Sequence, residues 1–284
     1  MSHAMMEGKV CLLTGAATEV GQEVALGLAE RGATVVLVCA NKAEETSLWE
    51  SLEQQSPEGQ FDFVLGDLSD LGSVRRIARD FKRKHHQLDG LLHLEQIVLR
   101  KRQLSADGIE MMLATNVLGP FLLTYLLSDL LQQSPSSRIV VSAGANHRRG
   151  FVYLEDLQLR NGFRPTRASE QSALLRVMWT YELARRLQNV GVTANAFEMG
   201  LVRTRNISAP WFARPFVSLV MALKGREPKV MAQSAIYLGS SPAVTGLSGR
   251  YFVGVEQVDS SPASYDVEGA SLMWDVLQRM VGIH

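Results

Sequence analysis

Cysteine is scarce in this chain: two among 284 residues, Cys11 and Cys39, each inside an apolar run. A disulfide framework needs more, and no metal-ligand spacing surrounds them. Both therefore read as core residues of a reducing compartment, and no metal site is expected. Net charge is absent too, with Lys plus Arg at 29 and Asp plus Glu at 29. That balance gives no global field to draw in nucleic acid or an anionic lipid surface. The local basic runs Lys82-Arg83-Lys84 and Arg100-Lys101-Arg102 read as solvated faces. No apolar run approaches the roughly 18 residues of a membrane span, so no transmembrane segment is expected. The start, Met1 to Met6, lacks the apolar core of a signal peptide. A cytoplasmic protein is the expectation. There is no tandem repeat, low-complexity tract or interdomain linker.

What is present is a core-forming composition. Hydrophobic residues make up 46% of the chain, too many for a disordered protein. Short apolar runs alternate with amphipathic stretches. Strands are predicted at Lys9–Ala16, Thr34–Ala40, Phe61–Leu65, Leu88–Leu94, Arg138–Ser142, Val192–Phe197 and Arg250–Val255. Helical spacing occupies Gly21–Arg31, Glu44–Gln55, Val74–Lys84, Asp107–Leu131 and Ala168–Gln188. Near-continuous apolar strands alternating with helices predict a parallel sheet covered on both faces. The expected fold is a single-domain α/β, Rossmann-like, doubly wound parallel sheet of about seven strands with helices on both faces. Its ligand crevice should lie at the strand C-termini. Residues 201–230 interrupt the rhythm with an aromatic, apolar insert from Pro210-Trp211-Phe212 to Leu223. It reads as a packed surface helix, a lid over an apolar pocket or a membrane-surface patch.

The first strand–helix turn is Thr14-Gly15-Ala16-Ala17-Thr18-Glu19-Val20-Gly21. Gly15 permits a tight turn and Gly21 a close helix–sheet approach, so backbone N–H groups between them can hold a pyrophosphate. With Arg31-Gly32-Ala33, Asp67-Leu68, Asp107 to Met111, Asn116, Leu118-Gly119, Glu182 to Leu187 and Ser248 to Phe252, the chain resembles the short-chain dehydrogenases/reductases, nearest their retinol-dehydrogenase-like branch. The resemblance implies a nicotinamide cofactor, NADP(H), a lipophilic alcohol or carbonyl substrate, and a Ser, Tyr, Lys and Asn set that handles the proton.

Matched residue by residue, most of that set is missing. The Tyr and Lys slots are Ser169 and Ala173, the Ser slot is Gly144, and Asn116 alone is retained. Tyr181 with Arg185 is the nearest substitute pair. It lies twelve residues from Ser169, about 18 Å along a helix, too far to serve the same carbonyl. Ser142 and Ser169 are weak replacements. Of the cofactor features, Gly15, Gly21, Asp67 and Thr204 remain. The middle Gly is Glu19, the residue closing strand two is Ala40 where the branch often has Arg, and a small-residue segment reads His93-Leu94-Glu95-Gln96. These changes argue against dinucleotide binding.

The main expectation is therefore a non-redox pseudoenzyme serving as a binding or scaffold module. One alternative is an NADP-dependent oxidoreductase acting on a lipophilic alcohol or carbonyl. The other is a repurposed isomerase, lyase or cyclase using His93, Glu95, His147 and Glu198 in the old cofactor crevice. A small lipophilic ligand is the expected partner. The resemblance also implies a homodimer through the two long helices, with Leu122, Leu126, Leu130, Trp179 and Leu183 as contacts. The branch often carries an N-terminal anchor, and here the chain opens almost at strand one, so a soluble form is expected.

Overall fold

The computed structural model describes residues 5–202 and 225–283. Thr204 and most of the 201–230 insert lie outside the described residues. The first strand, β1 (Val10–Thr14), turns into helix α1 (Glu19–Ala29). β2 (Thr34–Cys39), α2 (Lys42–Gln55), β3 (Gln60–Leu65), α3 (Leu71–Lys84) and β4 (Gly90–His93) follow. Three of these helices open on side-chain caps. Thr18, Asn41 and Asp70 accept from the N–H groups of Gly21, Glu44 and Ser73 at 3.0 Å each, satisfying donors that the first turn leaves free.

The long helix expected over Asp107–Leu131 is broken. It begins with α4 (Met111–Leu113), passes through a π-helical stretch at Ala114–Leu118, and continues as α5 (Gly119–Leu126) and α6 (Ser128–Gln133). Pro120 explains part of this. It has no N–H to offer the Asn116 carbonyl four residues back, so the α-helical ladder fails there. The chain then runs through β5 (Arg138–Ala143), α7 (Pro165–Arg186), β6 (Thr193–Glu198), α8 (Pro228–Ser240), β7 (Tyr251–Val253), β8 (Glu256–Val258) and α9 (Val267–Val281).

The strands form one eight-stranded sheet in the order β3-β2-β1-β4-β5-β6-β7-β8. All neighbours are parallel except β7 and β8. The extra strand arises because the expected run Arg250–Val255 turns at Gly254, whose φ is +64°, and doubles back as β8. One face packs on α1, α2 and α8, with Leu13, Val24, Val35, Leu37 and Ala235 in its core. The other packs on α3, α5, α7 and α9. Strand order reverses beside β1, where β2 lies on one flank and β4 on the other. In open α/β sheets this is where a crevice forms.

The expected dimer contacts are largely taken within the chain. Leu122, Leu130, Trp179 and Leu183 are buried in the same core cluster as Ala270, Met273 and Leu277 of α9, and Leu126 is half-buried against it. Trp274 of α9 stacks edge-on with Phe121, ring centroids 4.7 Å apart, and the Arg186 guanidinium lies over its ring at 4.6 Å. Among the described residues no helix is long and apolar enough to cross a membrane.

Candidate active site

A cleft of about 370 Å³ opens at the carboxyl ends of β1 to β4, lined by Gly15, Ala17, Thr18, Ala40, Glu44, Asp67, Glu95 and Thr115 among others. Its floor is the turn after β1. Gly15 has φ +75°, a conformation that L side chains rarely adopt. A Cβ there would also lie 2.7 Å from the Glu95 backbone nitrogen. A Cβ on Gly21 would collide with the Gly15 carbonyl. Both glycines are thus fixed by close packing. Thr18 closes the turn: its hydroxyl donates to the Gly15 carbonyl at 2.9 Å and accepts from Gly21 N–H.

This geometry fits the phosphate-bearing half of a dinucleotide, and a second observation supports it. Thr115 lines the cleft, and its hydroxyl is buried and has no hydrogen-bond partner. A buried hydroxyl without a partner costs stability unless a ligand satisfies it. Two sequence arguments against a cofactor lose force here. Glu19 is the first residue of α1, where a carboxylate is favoured by the helix dipole, and it is absent from the cleft lining. Of the His93–Gln96 block only Glu95 lines the cleft. His93 and Leu94 are turned into the core. Asp67 sits at the rim, exposed, with one carboxylate oxygen accepting from Ser69 N–H at 2.8 Å.

The neighbouring half of the crevice is organised by a residue that sequence reasoning passed over. Arg176 lies on α7, one turn beyond Ala173, and is almost fully buried. Its guanidinium donates to the Ser142 carbonyl, to the Ser142 hydroxyl at 2.9 Å, to the His93 carbonyl at 2.9 Å and to the Glu95 carbonyl at 3.0 Å. It also donates to the Asn116 carbonyl at 2.5 Å, the acceptor that Pro120 leaves free. No described carboxylate makes an ion pair with it. Burial pulls its pKa down to about 9, with the Glu95 carboxylate opposing. It is therefore still a cation at neutral pH. A signal existed in the sequence: Arg176 is the one charge within the apolar run Leu174–Trp179.

The expected site residues divide accordingly. Asn116 sits in the π-helical stretch, buried, its amide oxygen accepting from Ile97 N–H at 2.8 Å and its amide nitrogen donating to the Ile97 carbonyl at 2.9 Å. It pins the segment after β4. Ser142 is fully buried beneath Arg176, with the Gln96 amide 3.4 Å from its hydroxyl. Ser169 is half-exposed at the start of α7, and its hydroxyl accepts from the Asn146 side-chain amide at 2.9 Å. Asn146 was not anticipated. It follows the Gly144 slot by two residues, and nothing in its sequence setting marks it.

The four acid–base candidates do not assemble. His93 is fully buried, with Nε2 2.8 Å from the Thr124 hydroxyl. Thr124 already donates to the Pro120 carbonyl, so His93 Nε2 carries the hydrogen. Burial and the Arg176 charge push its pKa down to about 3. His147 donates from Nδ1 to the Gly144 carbonyl at 2.8 Å and accepts at Nε2 from Ser261 N–H at 3.1 Å. Burial lowers its pKa as well. Both rings are neutral and structural: His147 has both nitrogens satisfied, whereas the buried Nδ1 of His93 has no partner among the described residues. Glu95 is half-buried with its carboxyl pKa raised by burial, then by Glu44, with Arg176 opposing and Asp67 adding. Glu198 closes β6, half-exposed and separate from the cleft lining. Among the described residues no cluster suited to a metal ion occurs.

The short chain dehydrogenase family profile matches residues 9–153. The mouse protein named Retinol dehydrogenase 14 is 35% identical over 98% of this chain and 87% of its own length. Human Retinol dehydrogenase 13 is 32% identical over 99% of this chain and 87% of its own. A crystal structure of an uncharacterized protein from Mycobacterium Paratuberculosis superposes with a TM-score of 0.80 at 25% identity, covering 99% of this chain and 96% of that one. The chain belongs to the short chain dehydrogenase family.

These relatives overturn the expectation of a non-redox pseudoenzyme, because proteins named as dehydrogenases align across nearly the whole chain. The expectation rested on the joint loss of the Ser, Tyr and Lys slots and of the middle Gly of the phosphate turn. The structure places a cation on the next turn from the absent lysine, but the Arg176 guanidinium is buried behind the crevice and bonded to protein acceptors, outside the cleft lining.

Proposed function

We propose that the protein is a nicotinamide-dependent oxidoreductase acting on a lipophilic alcohol or carbonyl compound. The observation that supports this best is the tight cradle at Gly15 with the unpartnered Thr115 hydroxyl beside it, in a family whose aligned members include proteins named retinol dehydrogenases. Gly15, Ala17, Thr18 and the amino end of α1 would hold the phosphates. Asp67 and Thr115 would hold the adenosine side. A bound nicotinamide supplies or takes up hydride.

The chain's own residues handle the rest. The Ser169 oxygen is held by Asn146, which leaves its hydroxyl free to donate a hydrogen bond to a substrate oxygen; the proton that oxygen takes up on reduction is replaced from solvent reaching the half-exposed Ser169. The Arg176 charge lies beneath the same crevice and favours negative charge developing on that oxygen. A small apolar cluster of Met112, Leu159 and Ala168, flanked by Ile97, Leu99, Tyr153 and Phe163, adjoins Ser169. Phe151 is exposed and stacks on Tyr153 with centroids 4.7 Å apart. That surface suits a lipophilic substrate. The test is oxidation of NADH or NADPH in the presence of retinal or a long-chain aldehyde, followed by nicotinamide absorbance. Turnover is expected, with kcat for Ser169→Ala lower by about 10²-fold. Bound dinucleotide with no turnover on any such carbonyl refutes the proposal.

A further inference from the structure

The cleft is acidic at the end where a dinucleotide's adenosine ribose would lie. In doubly wound sheets that ribose sits beside the end of strand two. An acidic side chain there accepts from the free 2′-hydroxyl, whereas an arginine accommodates a 2′-phosphate. In this protein β2 ends at Cys39 and is followed by Ala40. Glu44, from the first turn of α2, folds back so that its carboxylate lies 3.4 Å from the Ala40 N–H. Glu44 of α2, Asp67 after β3 and Glu95 after β4 line the cleft, and among the described residues its lining contains no lysine or arginine. The carboxylates sense one another across the gap: Glu44 and Asp67 both raise the Glu95 pKa. The nearest basic side chain in sequence, Lys42, is held by Glu45 at 2.6 Å and is not part of the lining.

We propose that this cleft is selective for NAD(H), with Glu44 as the residue that excludes the 2′-phosphate of NADP(H). The inference rests on the oxidoreductase reading. The amino end of α1 attracts the pyrophosphate of both cofactors equally, so it does not discriminate. The 2′-phosphate adds nearly two negative charges and would meet Glu44 with no neutralising cation among the described lining residues. At the separations of such a cleft this repulsion corresponds to at least about tenfold in affinity, weakening as salt rises.

The test is fluorescence titration of the full chain with NADH and, separately, NADPH, at low and high salt. NADH should bind at least about tenfold more tightly, and the gap should narrow with salt. Glu44→Arg should weaken NADH and strengthen NADPH, moving their ratio by at least about tenfold. Ala40→Arg, a second and independently exposed position, should move it in the same direction. Equal or tighter NADPH binding by the wild type overturns the inference and leaves the oxidoreductase reading standing. An unchanged ratio in both variants does the same. Binding of neither dinucleotide at millimolar concentration overturns both.

Discussion

Arg176 is the residue whose removal should cost the fold most. Its guanidinium serves five acceptors: the carbonyls of His93, Glu95, Asn116 and Ser142, and the Ser142 hydroxyl. These belong to the ends of β4 and β5 and to the π-helical stretch, so one side chain joins three elements. In Arg176→Met the buried charge disappears, which returns its desolvation cost, but the carbonyls are left inside the protein without donors. Each orphaned acceptor costs about 1–3 kcal/mol, and breaking a buried charged network typically costs about 3–5 kcal/mol net. For a chain of this size that loss lowers the melting temperature by about 6–20 °C. Arg176→Lys retains a charge, but an ammonium has three donors, so at least two acceptors stay unmet and the loss should be intermediate. The assay is urea unfolding followed by tryptophan fluorescence, well placed because Trp179 stacks edge-on against His93, centroids 6.2 Å apart. A Met variant within about 1 kcal/mol of wild type would show that the carbonyls find other donors and that the hub argument is wrong.

Three further outcomes follow from the same geometry. Gly15→Ala should lose about 2 kcal/mol or more and abolish dinucleotide binding, because it adds strain at a left-handed φ to a collision with the Leu94–Glu95 backbone just after β4; thermal unfolding and NADH titration check it. Thr115→Val should stabilise the free protein by up to about 1 kcal/mol while weakening NADH several-fold, since it removes an unpaired buried hydroxyl that a ligand would use; a variant neutral in both respects rejects that role. The two buried histidines make stability fall with acid. Their folded pKa values lie below the unfolded value of 6.5, at about 3 for His93. The unfolded chain therefore binds protons first, and stability present above pH 6.5 is lost as pH falls, towards pH 3 for His93, by up to about 1.4 kcal/mol per pH unit for each group while only the unfolded form is protonated. Urea midpoints across this range measure it, and His93→Phe should flatten the slope.

The architecture was readable because its signals are local. Apolar runs bounded by turn residues mark strands wherever the sheet is covered on both faces, and Gly15 and Gly21 flag a tight turn by spacing alone. The chemistry was less readable because it depends on which way side chains point. His93 and Glu95 are two residues apart after the same strand, yet His93 is locked in the core by Thr124 while Glu95 walls the cleft. Counting both as crevice groups assumed a common orientation that the end of β4 does not keep. Glu19 was misjudged for a similar reason: its position in the motif suggested contact with phosphate, whereas α1 begins at that residue and the cleft lining skips it.

Arg176 was hidden for a different reason. Its role exists only jointly with Pro120, fifty-six residues earlier in the chain. Pro120 withholds an N–H from the Asn116 carbonyl, and that carbonyl would be an uncompensated buried acceptor were Arg176 not beside it. Conversely, a buried guanidinium without a carboxylate partner is tolerable only where carbonyl oxygens converge, and the helix break supplies one of them. Neither residue makes sense alone: proline in a helix looks like a defect, and arginine in an apolar run looks like an error. The helix break also sets Asn116 where it can pin the segment after β4 through Ile97. The proline thus shapes the crevice twice, once by freeing a carbonyl for a cation and once by aiming the amide that holds the crevice wall.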